Sequence, residues 1–291
     1  MTKVVKINKE VELQLTDSEV KKSVLDAIEK GIKIINDDAC MAHMANNFES
    51  IFNDKFYMKE NNKTDRIPVF NLPNIMVQSK FLRLLNENPQ LMDLVPENEK
   101  ESFEDFVVYL KNNPMCVNCE TCSGQCYNNK AYVQYPAKAI CDLRQLYRVF
   151  KKPHIVAGEI VQSTINSKNA RLNGSGEIHN EFILDFYKRV CKMNPDTTYY
   201  TYTKNYKLFE GKKLPKNLVV NLSKFGTDKQ INESIEYLPK NLNTFVAVTK
   251  EEMAEIKKDK EKSKRICLGE SCSSCRLCTK KKGIEIYCEI H

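Results

Sequence analysis

The sequence contains no tryptophan, and only nine glycines and four histidines among 291 residues. No apolar run reaches the roughly 20 residues that a membrane-crossing helix needs. The first residues, "MTKVVKINKEVELQL", lack the apolar centre of a signal peptide. These absences give the expectation of a cytoplasmic protein with no membrane partner. The phosphate-binding pattern G-x-x-x-x-G-K-[ST] is missing, and no Ser-His-Asp or Cys-His nucleophile arrangement can be assembled. No internal repeat is evident either. Hydrophobic residues make up 42% and charged residues 29%, ordinary for a globular chain, and the length allows one large domain or two modest ones. The net charge of +7 is concentrated in "KKDKEKSKR" (Lys257 to Arg265) and "KKK" (Lys280 to Lys282), the first of these mixed with acids. Such runs read first as a solvated face and second as a nucleic-acid contact.

What the chain has in excess is cysteine, with twelve copies. In a reducing compartment clustered thiols point to metal and away from a disulfide framework. Cys40, Cys141 and Cys191 are isolated and read as small buried apolar side chains. The other nine fall into two groups: Cys116, Cys119, Cys122 and Cys126, then Cys267, Cys272, Cys275, Cys278 and Cys288. The first group, "CVNCETCSGQC", has the C-x2-C-x2-C-x3-C spacing of 4Fe–4S loops, in which soft thiolates wrap a cluster. It departs from the bacterial ferredoxin run in having Tyr127 where that run has proline. Zinc is the alternative, although its ligand pairs usually lie farther apart. The second group repeats the x2 spacing over Cys272, Cys275 and Cys278, with Cys267 as the natural fourth ligand and Cys288 and His291 in reserve. It reads equally well as a redox cluster or as a metal staple for the last segment.

Between the two groups the pattern alternates. Residues 17–52, 79–95, 99–113 and 130–151 carry helical periodicity, the last with a break at Pro136. The stretch 60–74, with Pro68 and Pro73, reads as a loop. "ARLNGSGEI", "TTYYTYTKN", "NLVVNLS" and "NTFVAVT" read as strands, separated by helical stretches at 179–194 and 227–239 and followed by one at 250–264. Strands alternating with helices imply a parallel sheet whose polar strand ends gather the chemistry. The expected fold class is therefore α/β, a partial or complete (β/α) barrel. It would carry an N-terminal helical extension over 1–70, a Cys-loop and barrel-like domain over 71–265, and a C-terminal Cys-rich metal-binding segment over 266–291.

Several polar residues near those strand ends have two readings. Lys204 is either a structural lysine or a contact to substrate. Arg171 reads as an anion binder or, more simply, as half of an ion pair. Glu177 reads as an acceptor for an amine or as a cap for the next helix, and His179 as a surface residue of a first helical turn.

The order of a cysteine loop and then "GSGE" (Gly174 to Glu177) resembles that in radical S-adenosylmethionine enzymes, where a Gly-Gly-Glu-like turn receives the cofactor's amino group. The resemblance implies a 4Fe–4S cluster on Cys116, Cys122 and Cys126, an S-adenosylmethionine cofactor bound at Gly174, Ser175, Gly176 and Glu177, and Lys204 and Ser223 lining the substrate face. It casts Lys204 and Glu177 as catalytic. Cys119 would saturate the cluster if it also ligated, turning an open catalytic iron into a closed centre. A wider set of segments resembles the phage gene-product-88 family. These are "NLP" (Asn71 to Pro73), Cys116, Cys122 and Cys126–Tyr127, "RLNGSGE", "YTK", "LPKNLVV" and the C-terminal "CSSCRLC…H", all in the family's order. Glu177 stands where the family has aspartate. This resemblance implies a phage or prophage protein working in the host cytoplasm and a barrel-like α/β core. It carries no settled reaction, so the substrate is an unknown small molecule or macromolecule. The alternative is a metal-stapled protein, zinc or iron–sulfur, that binds a host protein or nucleic acid without catalysis.

Overall fold

The computed structural model describes residues 37–61, 66–117, 126–225, 238–240, 242–269, 272–280 and 283–290. They form two compact units that interleave along the chain, a helical unit of 37–57 with 71–156 and a sheet unit of 58–70 with 157–290. Residues 58–70, expected in the N-terminal extension, belong to the sheet. So does the C-terminal segment, expected as a separate piece.

The helical unit contains α1 (Asp37–Asn46), α2 (Ile75–Glu87), α3 (Lys100–Asn112), α4 (Tyr127–Gln134) and α5 (Ala137–Lys151). The part of the expected first helix before residue 37 lies outside the described residues. Local chemistry sets the other boundaries. Asn74 caps α2, its Oδ1 accepting from the Val77 N–H at 3.1 Å. Pro89 opens the short 3-10 turn that follows α2. Pro136 separates α4 from α5, as its missing N–H predicts. The apolar stripes of these helices meet in an aromatic cluster around Phe103, which is fully buried. Its ring stands edge-on to Phe48 at 5.6 Å, Phe52 at 5.1 Å and Tyr147 at 5.7 Å. Beside it the Tyr147 hydroxyl donates to Glu99 at 2.6 Å, and Lys151 pairs with the same carboxylate.

The sheet unit has seven strands in sequential order. They are β1 (Lys59–Asn61), β2 (Ile67–Phe70), β3 (Asn169–Leu172), β4 (Thr198–Thr203), β5 (Leu218–Phe225), β6 (Asn243–Val248) and β7 (Glu285–Glu289). β1 is antiparallel at the edge, and β2 to β7 are all parallel. The α/β class expected from the rhythm of the sequence is present as a six-stranded parallel sheet; among the described residues no strand pair closes it into a barrel. Helices α6 (Pro153–Thr164), α7 (Glu181–Met193) and α8 (Lys250–Lys258) flank the strands along the chain. The helix expected at 227–239 falls almost entirely outside the described residues.

Three strands, β1, β2 and β7, lie where none was expected. β2 runs through the stretch taken as a loop, with Pro68 inside it. A proline is tolerable there because the ladder to β3 begins only at Val69, paired with Arg171, and all four residues of β2 are buried. β7 is built from "EIYCE", a strand hidden in a segment dominated by its cysteines, and it pairs along its whole length with β6.

The two faces of the sheet have different jobs. On one face the Tyr199 hydroxyl meets Thr164 of α6 at 2.6 Å and Asn194, after α7, at 3.2 Å. Val246, Val248 and Tyr287 share that face and pack with Met253 of α8. By strand alternation the opposite face carries Arg171, Tyr200, Tyr202, Val219, Asn221, Asn243 and Phe245, adjacent across the register. With helices on the first face, the second is open to a different cover.

Candidate functional site

That cover is the C-terminal cysteine segment. Residues 266–269 and 272–279 lie over Tyr200 and Tyr202 and enclose with them a cavity of about 330 Å³, lined by Cys267, Cys272, Cys275 and Cys278. The segment is shaped for this by its backbone. Cys272–Cys275 form one helical turn, Arg276 adopts a left-handed conformation at φ 53°, and a 3-10 turn over Leu277–Thr279 follows. The left-handed residue reverses the chain and returns Cys278 to the sheet. Two fully buried asparagines hold the segment down. The Asn221 amide donates to the carbonyls of Thr201 and Cys278, both at 3.1 Å. The Asn243 amide donates to Asn221 Oδ1 at 3.1 Å and to the Lys280 carbonyl at 2.8 Å. Cys272 and Cys278 also pack on the buried cluster of Ile67, Tyr200 and Val219.

Two of the thiols in this cavity, Cys267 and Cys278, are shifted in opposite directions. A hydrogen bond from Cys288 brings the Cys267 thiol down to about 6 against the opposing effect of burial, helped by the Gly269 backbone and the Arg171 guanidinium. The same bond pushes Cys288 up. Burial pushes Cys278 up to about 12, with neighbouring thiols adding to it and a hydrogen bond from the Tyr202 hydroxyl partly offsetting it. The Arg171 guanidinium lies over the Tyr202 ring at 4.8 Å, a cation–π contact.

The first cysteine group belongs to the helical unit. Cys119 and Cys122 lie outside the described residues, but the two outer cysteines converge on one helix start. The Ile75 N–H of α2 points at Cys116 Sγ at 3.4 Å, and the Asn74 side-chain amide stands 4.0 Å from Cys126 Sγ. That amide also donates to Asn129 Oδ1 at 2.8 Å. Asn74 therefore caps the helix with its oxygen and tethers the far end of the cysteine loop with its nitrogen. Asn74→Ala is expected to cost about 1–2 kcal/mol in urea unfolding, because both a cap and a partly buried amide bond are lost. An unchanged midpoint would show the tether to be idle.

The glycine turn sits in the sheet unit. The Gly174 N–H donates to the Phe70 carbonyl at the end of β2 at 3.1 Å, and Gly176 has φ 78°, a conformation that favours glycine. Ser175 is buried. The Glu177 carboxylate accepts from the backbone N–H of Lys204 at 3.0 Å and of Ile178 at 3.2 Å, tying the turn after β3 to the end of β4. It does not cap α7, a task done by Asn180, whose Oδ1 accepts from Ile183 N–H at 3.1 Å. Lys204 is buried, and Ser223 stands on β5, where its carbonyl accepts from the Tyr206 hydroxyl. His179, expected on the surface, is buried, and the Asn205 side-chain amide fastens the carbonyls of Ile178 and His179 to the β4 end.

Sequence reading missed Tyr200, Tyr202, Asn221 and Asn243 as site residues. The available signal was the period-2 placement of two tyrosines in "TTYYTYT" and an asparagine inside the apolar run "LVVNL". Of the isolated cysteines, Cys40 and Cys191 are buried as expected, while Cys141 is half-buried and accepts from Arg144 at 3.4 Å. Among the described residues no three His, Cys, Asp or Glu side chains stand close enough to share a single metal ion, and no helix is long and apolar enough to cross a membrane.

No curated protein and no solved structure matches the chain significantly. A family profile described as Gene product 88 does match, over residues 83–284, more than two thirds of the length. The matched stretch takes in the first cysteine group, Cys267 to Cys278 of the second, the glycine turn and strands β3 to β6, so the sequence belongs to the gene product 88 family.

Proposed function

We propose that this protein is an iron–sulfur protein resembling radical S-adenosylmethionine enzymes, with a 4Fe–4S cluster on the Cys116–Cys126 loop. The observation that carries the reading is the convergence of Cys116 and Cys126 on the first turn of α2. A helix N-terminus supplies aligned N–H groups and a positive dipole end, the setting that favours thiolate over thiol and suits a negatively charged cluster. The donor set fits, since thiolates on one short loop are what such clusters require. When bound, the cluster supplies an electron for reductive cleavage of S-adenosylmethionine. Gly174, Ser175 and Gly176 present backbone at the strand end, Glu177 fixes that turn to β4, and Lys204 and Ser223 stand at strand positions where parallel α/β sheets gather their ligands.

The test is to purify the chain without oxygen, measure iron and sulfide, and incubate it with S-adenosylmethionine and a strong reductant. Release of 5′-deoxyadenosine that is lost in Cys116→Ser and Cys126→Ser is the expected result. A reconstituted cluster that neither cleaves the cofactor nor changes its spectrum on adding it removes the radical assignment.

A second reading has an observation of its own. Glu177 is already engaged by two backbone N–H groups, and the cysteine segment covers the sheet face opposite the helices. Both features suit a metal-stapled scaffold that binds a host protein or nucleic acid through its basic 257–282 region. Affinity for nucleic acid that falls steeply with salt favours this reading.

A further inference from the structure

The cavity over Tyr200 and Tyr202 shows what kind of centre its thiols suit, independently of the Cys116–Cys126 loop. Four cysteines line it, one helical turn and a left-handed residue hold them around the space, and two buried asparagines clamp the backbone that carries them. A lone zinc ion draws four sulfurs to about 2.3 Å and leaves no room between them. Here the four cysteines share with Tyr200, Tyr202, Ile266, Leu268 and Leu277 the lining of a cavity of about 330 Å³, room for a core far larger than one ion. A cubane cluster has the opposite requirement, because its four thiolates bind four separate irons at the corners of a bulky core. We propose that Cys267, Cys272, Cys275 and Cys278 hold a polynuclear iron–sulfur cluster in this cavity.

The surroundings support a cluster and identify the residues that would tune it. Arg171 places a positive charge over the Tyr202 ring and near Cys267, offsetting the negative charge of a tetrathiolate centre. The Tyr202 hydroxyl bonds Cys278, and hydrogen bonds to ligand sulfur raise a cluster's potential by stabilising its reduced, more negative state. Cys288 on β7 is not a lining residue; it supports Cys267 from the strand beside it.

The experiment uses the full chain with Cys116, Cys119, Cys122 and Cys126 all replaced by serine, so that the outcome does not depend on the first loop. After anaerobic reconstitution with ferrous iron and sulfide, about four irons and four sulfides per chain are expected. Adding Cys272→Ser and Cys278→Ser should abolish them. One zinc without sulfide, or no metal at all, overturns the proposal. Should the loop variant fail to fold, Cys272→Ser with Cys278→Ser in the otherwise unaltered chain must lose about four irons, and no loss overturns it equally. With ligands intact, Tyr202→Phe should keep the iron count and shift the midpoint potential to a more negative value. An unmoved potential would remove Tyr202 from the centre.

Discussion

Lowering the pH from 7 to 4 is expected to cost the sheet unit about 3 kcal/mol through His179 alone. Burial brings this imidazole down from 6.5 to about 4, an effect that its contact with the Glu177 carbonyl only partly offsets. In the unfolded chain the ring takes up its proton as the pH falls through about 6.5; in the folded protein it resists until about 4. Over that window the unfolded state binds more protons. The contribution is therefore complete above the unfolded value and is lost on acidification. His179 Nδ1 lies 3.2 Å from the Glu177 carbonyl oxygen, so His179→Asn, whose amide nitrogen can occupy nearly the same place, is the appropriate control. The chain has no tryptophan, so unfolding is best followed by circular dichroism in urea at the two pH values. The variant should lose about 3 kcal/mol less than the parent between pH 7 and pH 4. Equal losses would mean that the ring is solvated or already charged. Glu99 and Asp54 also contribute to the acid limb. Burial raises Glu99, but hydrogen bonds from Lys151 and Tyr147 prevail and hold it low, and Lys152 holds Asp54 low. Both carboxylates are present in parent and variant alike, so the difference between the two isolates the imidazole.

The larger mutational effect is expected in the helical unit. Phe103→Ala should cost about 3–5 kcal/mol, the range for deleting a fully buried aromatic ring. The site has little freedom to collapse. Phe48, Phe52, Phe81, Phe106 and Tyr147 all stand within 6.3 Å of the ring, centroid to centroid, so a shift of one to fill the gap disturbs its packing on the others. Phe103→Leu retains most of the volume and should cost roughly 1–2 kcal/mol. Urea midpoints of both variants check the order. A loss below about 1.5 kcal/mol for the alanine variant would show that the cluster relaxes around the hole.

These two positions illustrate what local sequence can and cannot convey. Phe103 was legible as an apolar residue of a periodic stretch, and its burial followed. His179 was read as a surface residue because it stands just before a helix among polar neighbours, and nothing local reveals that Asn205, a strand later, reaches back to bind the carbonyls around it. β2 and β7 were hidden for related reasons. A four-residue strand containing proline carries no alternation to detect, and "EIYCE" was masked by cysteines that invited a different reading. Strand identity in both is conferred by the neighbour, Arg171 for Val69 and Ala247 for Cys288.

The sequence by itself determined the α/β rhythm, the proline breaks between helices, two separate concentrations of thiol and membership of the gene product 88 family. Each of these is written in spacings of a few residues or in the order of short segments. Only the tertiary structure decided that residues 58–70 and the C-terminal tail join one sheet, that Cys116 and Cys126 meet at the start of α2, and that four further cysteines face two tyrosines across a cavity. Those facts depend on which strands pair and which face remains uncovered by helices. Pairing is chosen by burial summed over distant parts of the chain, a quantity that no short window of sequence contains.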